Sequence, residues 1–455
     1  MSSWKCHPLE DEAEVIKLAG RRCTFQPVSS TDEALEGTAL GGGVYLVFEG
    51  RNSASQRSVV ALQLCSGSEA NGGGRSSRSA QSARTCRTNA ASHTPLHVAM
   101  ATTAMEKIGW LFINLQQVRR VPQKLREVVP SVPPTVREAE VPSFFRERYV
   151  HTGYRPLHQS WRYYFLSLFL RHNETVNVWT HLLGALVVLA QTAQLAESVD
   201  FLGDPHSWPL LVLLLSSTTY LTFSALAHLL GGKSEFVHYG FYFLDYVGVA
   251  QYQCGSAVAH FYYAVEPSWY ERVSGIFMPV AILLSCLFCM GSCYGKYQNY
   301  SLPSCVRKVG QVVPSALAYV WNTSPVVHRI GLWYLSDSRS DRAVMFHCGQ
   351  VVFFLCGAFF FTHPLPERLF PGHFDFLGQG HQLFHMFLAL CTLSQIHASY
   401  LDYLDRRHIY THLHGDGAAL YFSLLYVVTM AVSAQIAACV MKKVKSLLEC
   451  EKKAK

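Results

Sequence analysis

Three histidines and an aspartate stand inside segments apolar enough to be buried in a bilayer. His228 ends PLLVLLLSSTTYLTFSALAH, Asp245 lies in FYFLDYVGVA, and His381 and His385 open HQLFHMFLALCTL. An ionisable side chain at membrane depth costs at least ~2.5–3.5 kcal/mol, so such groups are rare and are usually paired or functional. His381 and His385 are spaced i, i+4 and project from one face of a helix, which lets two imidazoles reach one metal ion. With His228 they make three nitrogen donors and leave one position open, the donor set of catalytic zinc sites. Asp245 is the candidate to complete the site, as a further metal ligand, as the holder of a water, or as the group that orients a ligand histidine. Ser224 is one turn before His228 on the same face and is placed to hydrogen-bond near the metal.

The segments that carry these residues are membrane-like. Of 455 residues, 15% are charged, against about 25% in ordinary soluble proteins, and several apolar runs approach the roughly 20 residues that a spanning helix needs. Spans are expected at about 176–196, 209–230, 239–263, 275–294, 310–332, 345–363, 380–400 and 418–441. The fifth is the weakest, because Asn322, Pro325 and His328 interrupt it. The fold class expected is all-α: a polytopic membrane bundle of seven or eight helices with a buried metal. Many of the 14 cysteines fall within the spans, where cysteine usually acts as a small hydrophobe. Cys286, Cys289 and Cys293 share one helical face and read as packing.

Charge by position gives an orientation. Arg146, Arg148, Arg155, Arg162 and Arg171 precede the first span, and Lys233 sits in the second loop. The tail carries Lys442, Lys443, Lys445, Lys452, Lys453 and Lys455. Both ends are therefore expected in the cytoplasm, in contact with anionic lipids, and nothing resembles a nucleic-acid module. Arg339, Arg342, Arg406 and Arg407 fall on the outer side and go against the rule locally. In this orientation His228, Asp245, His381 and His385 arrive from three helices at one depth near the cytoplasmic face. His260, 15 residues beyond Asp245 and so roughly 22 Å along the helix, is expected outside the site. A second polar group, RHNETVNVWTH, places Glu174, Asn177 and His181 on one face at the start of the first span, where Glu174 is either a first-turn carboxylate or a lining residue.

Four regions are expected. Residues 1–99, rich in Ser, Gly, Arg and Gln from about 51 to 93, read as a disordered extension without a cleaved leader, and Met100 looks like a fresh start. Residues 100–175 form a cytoplasmic N-terminal region with a basic amphipathic helix at 106–129. The bundle occupies 176–441 and a basic cytoplasmic tail 442–455. The sequons at Asn173, Asn299 and Asn322 fall in cytoplasmic or buried positions, so glycosylation is not expected.

The residues that carry these readings are also a family signature. SALAH, FLDYVG, GQGHQLFH and HNETVNVWTH closely resemble motifs of the progestin and adipoQ receptor family. Within it, RPLHQSWRYYF, KSEFVHYGFYFLDYVG, GSAVAHFYYA, SPVVHRI and FPGHFDFLGQGHQLFH look like the progestin-binding branch, and the resemblance covers essentially residues 100–455. It implies a barrel-like bundle, inverted relative to G-protein-coupled receptors, with zinc (Zn2+) on His228, His381 and His385 and with Asp245 acting through water. It also implies a plasma-membrane receptor for a progestin steroid, signalling through an inhibitory G protein and triggering oocyte maturation.

Two functions fit these residues. In a receptor, a neutral steroid enters an apolar cavity, and Gln311, Gln251 or Gln253 bonds its carbonyls. In a hydrolase of the ceramidase type, whose Ser/His/Asp/His/His constellation is shared, zinc would activate water with Asp245 as proton acceptor and Ser224 stabilising the oxyanion. Closeness of the family match favours the receptor.

Overall fold

The computed structural model describes residues 133–298, 304–336, 341–415 and 417–454. The amphipathic helix expected at 106–129 and the extension 1–99 lie outside the described residues. Among those described there are eleven α-helices and no strand, only an isolated bridge between Val136 and Tyr154. Eight of the helices are long: α2 (Thr175–Leu195), α3 (Trp208–Leu230), α4 (Glu235–Ala259), α6 (Phe277–Tyr297), α7 (Ser304–Leu335), α8 (Arg342–Thr362), α9 (Gly380–Asp405) and α11 (Ala418–Ala454). Short helices α1 (Trp161–Leu166), α5 (Pro267–Val273) and α10 (Arg407–Leu413) cover the ends of the bundle.

Five helical segments are long and apolar enough to cross a membrane: α2, α3 with the turn before it, α6, α8 and α11. The chain is a multi-pass membrane protein. Large apolar side chains on these helices, including Leu189, Leu215, Leu283, Leu355 and Leu424, are exposed and form the surface that lipid would cover. Helices α4, α7 and α9 are more polar because they supply much of the lining of an internal cavity.

Local sequence explains the helix boundaries. The Asp204 carboxylate accepts from the His206 amide at the turn that leads into α3, and Pro209 occupies its first turn. Ser234 caps α4 and Asp341 caps α8, each accepting a main-chain N–H with its side chain. The weak fifth span is an unbroken helix despite Pro314 and Pro325. Pro325 cannot donate to the Trp321 carbonyl, and the Ser324 hydroxyl does so instead at 2.8 Å. Beyond the apolar span, α11 continues as helix to Ala454, so the basic residues from Lys442 onward extend that helix.

Alternating helix directions put His228, the start of α4 and the start of α9 at one end of the bundle. Its core of Leu210, Leu213, Leu221, Phe261, Tyr262 and Tyr263 lies toward the other. Cys289 and Cys293 are buried, and Cys289 Sγ contacts the Ser433 carbonyl of α11 at 3.7 Å, which bears out the packing role. The arginines at the far end, which run against the charge rule, are neutralised locally. Arg342 pairs with Asp405, Arg406 with Glu266 and Arg407 with Asp204; Arg339 lies outside the described residues. Arg155, expected as a cytoplasmic flanking charge, is 6% exposed. Its guanidinium donates to the carbonyls of His228 and Leu229 and to Ser167 Oγ, capping the C-terminus of α3.

Candidate metal centre and cavity

His228 stands in the last turn of α3, and His381 and His385 stand one turn apart at the start of α9. Each offers a nitrogen within 4.8 Å of the other two. The Nε2 atoms of His228 and His381 are 3.4 Å apart. Two nitrogens held about 2.05 Å from a tetrahedral zinc ion would be ~3.3–3.4 Å apart, so this pair already has the spacing of shared ligands.

Hydrogen bonds at the opposite side of two rings set their protonation. His228 Nδ1 is 2.7 Å from Glu174 Oε2, and a carboxylate accepts, so Nδ1 carries the proton and Nε2 keeps its lone pair. His385 Nδ1 lies 3.2 Å from the Asn177 carbonyl, with the same consequence. The donor chemistry therefore fits a divalent cation: three imidazoles, of which His228 and His385 each donate to an oxygen through the other nitrogen. Glu174 itself is held by Asn177 Nδ2 at 2.6 Å. His181 lies flat on His385, with ring centroids 3.7 Å apart and planes within 2°, and its Nδ1 is 2.8 Å from Ser224 Oγ.

The other residues singled out from sequence lie around this cluster. Asp245 is outside the group of mutually close ligand atoms. It lines the same cavity as Ser224 and the three histidines, and the carboxylate that contacts one of those histidines, His228, is Glu174. Ser224 is joined to His181 rather than to His228, His381 or His385. Gln311 and Gln253 line the cavity and Gln251 does not. Two residues apart on a helix, Gln251 and Gln253 point about 200° away from each other, so Gln251 is buried at 1% exposure on the far side of α4.

The cavity has a volume of about 290 Å³ and runs mainly between α3, α4, α7, α8 and α9, with His181 of α2 and Phe288 of α6 also on its wall, from the histidine cluster to His260. His260 was expected outside the site because of its axial distance. The distance holds, but the cavity is long enough to reach it. Its middle is apolar and aromatic, with Val249, Phe288, Phe354, Phe384 and Leu388. Its far end is polar: His260 Nε2 faces Gln350 Oε1 at 3.1 Å and Gln395 Nε2 at 2.9 Å, while Gln395 Oε1 accepts from the Tyr252 hydroxyl at 2.6 Å. Gln350 and Gln395 were visible in sequence only as amides within apolar runs, and nothing there joined them to His260.

A family model described as haemolysin-III related matches residues 169–396. Membrane progestin receptor alpha-B of Danio rerio is 56% identical over 351 residues, spanning 77% of this chain and 99% of the relative. The chain belongs to the progestin and adipoQ receptor family. Two other members of that family give the same picture. Membrane progestin receptor alpha of Cynoscion nebulosus is 55% identical over 77% of this chain and 99% of its own length. The Homo sapiens alpha receptor is 55% identical over 68% of this chain and 88% of its own length. These relatives within the progestin and adipoQ receptor family carry receptor names and do not favour the hydrolase reading.

Proposed function

We propose that this chain is a plasma-membrane receptor for a progestin steroid, which occupies the cavity between α4, α7, α8 and α9. The observation that carries the reading is the form of that cavity. A mostly apolar chamber, polar at its two ends, suits a rigid apolar ligand with few hydrogen-bonding groups. The names of the relatives point to the same ligand class. Gln311 and Gln253, both on the lining, are the amides placed to bond steroid oxygens.

His228, His381 and His385 would hold a zinc ion at the cytoplasmic end of eight spans, with Glu174 and the Asn177 carbonyl fixing two of the rings. Bound there, zinc would supply a Lewis-acid site at the cavity wall. Asp245 and Ser224 line that wall beside it. An inhibitory G protein is the proposed transducer, on the strength of the family resemblance, and oocyte maturation is the proposed response.

The test is saturable binding of a labelled progestin to the purified chain, with zinc quantified in the same sample. The expected result is one steroid site and about one zinc per chain, with zinc lost in His381→Ala and His385→Ala. Absence of saturable binding from folded protein would refute the receptor reading, and absence of zinc from the untreated protein would refute the metal centre.

A further inference from the structure

At the end of the bundle away from the histidine triad, one glutamine joins two imidazoles that are both anchored on their other sides. His260 Nδ1 is 2.9 Å from the main-chain carbonyl of Asn322, which can only accept, so Nδ1 carries a proton. His347 Nε2 is 2.8 Å from the Asp402 carboxylate, also an acceptor, so Nε2 carries a proton. The remaining nitrogens, His260 Nε2 and His347 Nδ1, face the two ends of the Gln350 amide at 3.1 and 2.7 Å. That amide has one donor end and one acceptor end. The donor end suits a neutral ring, whose free nitrogen holds a lone pair. The acceptor end needs a ring whose second nitrogen is protonated too. Turning the amide over exchanges the two rings and leaves the requirement in place, so one of the two imidazoles is a cation.

Two observations place the charge. Gln395 Nε2 lies 2.9 Å from His260 Nε2, while the Tyr252 hydroxyl donates to Gln395 Oε1, so a second amide donor is aimed at that ring nitrogen. A lone pair on His260 Nε2 serves both amides. His347, by contrast, stands beside a cluster of charges: Asp402, Asp341 and Glu266 with Arg329 and Arg406. Three carboxylates against two guanidiniums leave one negative charge, which an imidazolium at His347 balances.

We infer that His260, Gln350 and His347 form a buried proton-binding site, with the proton carried by His347. All three side chains are buried, and none belongs to the candidate metal centre. With the proton in place, Gln350 accepts from His347 Nδ1 and donates to His260 Nε2. An unbroken chain of hydrogen bonds then runs from the cavity wall through Asp402 to Arg329 and Asp341. Without the proton, the Gln350 oxygen meets a lone pair and the cluster keeps its excess negative charge. The proton is therefore what joins the end of the cavity to the salt-bridged residues behind it.

The experiment is nitrogen NMR of the purified full-length chain labelled in histidine, at about pH 7.5, where an unperturbed imidazole is roughly nine-tenths neutral. A ring with both nitrogens protonated is expected, and its signal should be missing from His347→Gln. Should that variant not fold, contacts of the ring with labelled aspartate and glutamine side chains, its two partners, identify it instead. In Gln350→Leu, which removes the amide oxygen, the neutral form of His347 is expected to appear at the same pH. A neutral His347 in the unmodified chain, or a doubly protonated ring traced to His260, would overturn the assignment. A His347 that stays fully protonated in Gln350→Leu would show that Asp402 holds the proton alone, and the three-residue site would fall.

Discussion

Glu174 Oε2 lies 2.7 Å from Nδ1 of His228, so a carboxylate at the start of α2 sets the tautomer of an imidazole at the end of α3. The ring is held from behind as well, since Arg155 Nη2 donates to the His228 main-chain carbonyl at 2.6 Å. Partners of this kind typically contribute 10–100-fold to metal affinity. Glu174→Ala is therefore expected to weaken zinc binding by roughly that factor, measured by competition with a chelator of known affinity. Glu174→Gln should lose less, because its side-chain oxygen can still accept from Nδ1. An unchanged affinity in Glu174→Ala would show that the carboxylate does not prepare the ligand.

Close approach of α3 and α4 brings His228 and Asp245 to one cavity, and two glycines allow it. A Cβ at Gly248 would lie 2.9 Å from the Tyr220 Cα, a main-chain atom that cannot move aside. A Cβ at Gly255 would collide with the side chain of Ser216. Overpacking of this sort costs about 1–3 kcal/mol. Both Gly248→Ala and Gly255→Ala should lower the melting temperature, but only the second should be rescued, by Ser216→Gly. A Gly248→Ala variant with the parental melting temperature would contradict the contact.

His172, just before α2, is 1% exposed. Its Nε2 faces the Ser167 carbonyl at 3.1 Å and its Nδ1 accepts from the Glu174 amide at 3.1 Å, which is the pattern of a neutral ring. Burial, reinforced by the nearby Arg155 guanidinium, pushes its pKa from 6.5 down to about 3. The unfolded chain therefore binds a proton that the folded one refuses. The stabilisation is fully present above about pH 6.5 and is lost as the pH falls toward 3. Melting temperatures measured between pH 7 and 4 should fall for the parent and fall less for His172→Gln. Equal slopes would remove His172 from the acid response.

Much of this arrangement was legible in the chain, for identifiable reasons. Each expected span overlaps one of the eight long helices, because apolar runs of this length have few alternatives. The triad was legible because i, i+4 spacing and position near a helix end survive folding unchanged. Glu174 stood out as a carboxylate at a helix start, but its partner is 54 residues away, and pairing at that range leaves no local pattern. Arg155 looked like any other flanking charge, since composition does not separate a buried helix cap from a lipid-facing cation. His260 was placed at the right depth and outside the histidine cluster, where it lies; what was not legible is the cavity that runs between the two, because the length of a cavity is a property of several packed helices.

At the end of the bundle opposite the histidines, Arg329 bridges two carboxylates. Its Nη1 donates to Asp402 Oδ2 at 2.7 Å and its Nη2 to Asp341 Oδ2 at 2.6 Å. Arg329 is 3% exposed and Asp402 is fully buried. Asp402 Oδ2 also bonds His347 Nε2 at 2.8 Å, and through Gln350 this contact reaches His260 on the cavity wall. Removing one partner of a buried pair leaves an uncompensated charge and costs about 3–5 kcal/mol, whereas replacing both by apolar groups is often nearly neutral. Arg329→Met is therefore expected to be severely destabilising, and Arg329→Met combined with Asp402→Leu to recover much of the loss. Recovery should be incomplete, because His347 is then left without an acceptor. Thermal unfolding of the two single variants and the double variant decides between these outcomes. A double variant as unstable as the sum of the singles would mean that Asp402 serves His347 more than it serves Arg329, and steroid affinity should then fall with it.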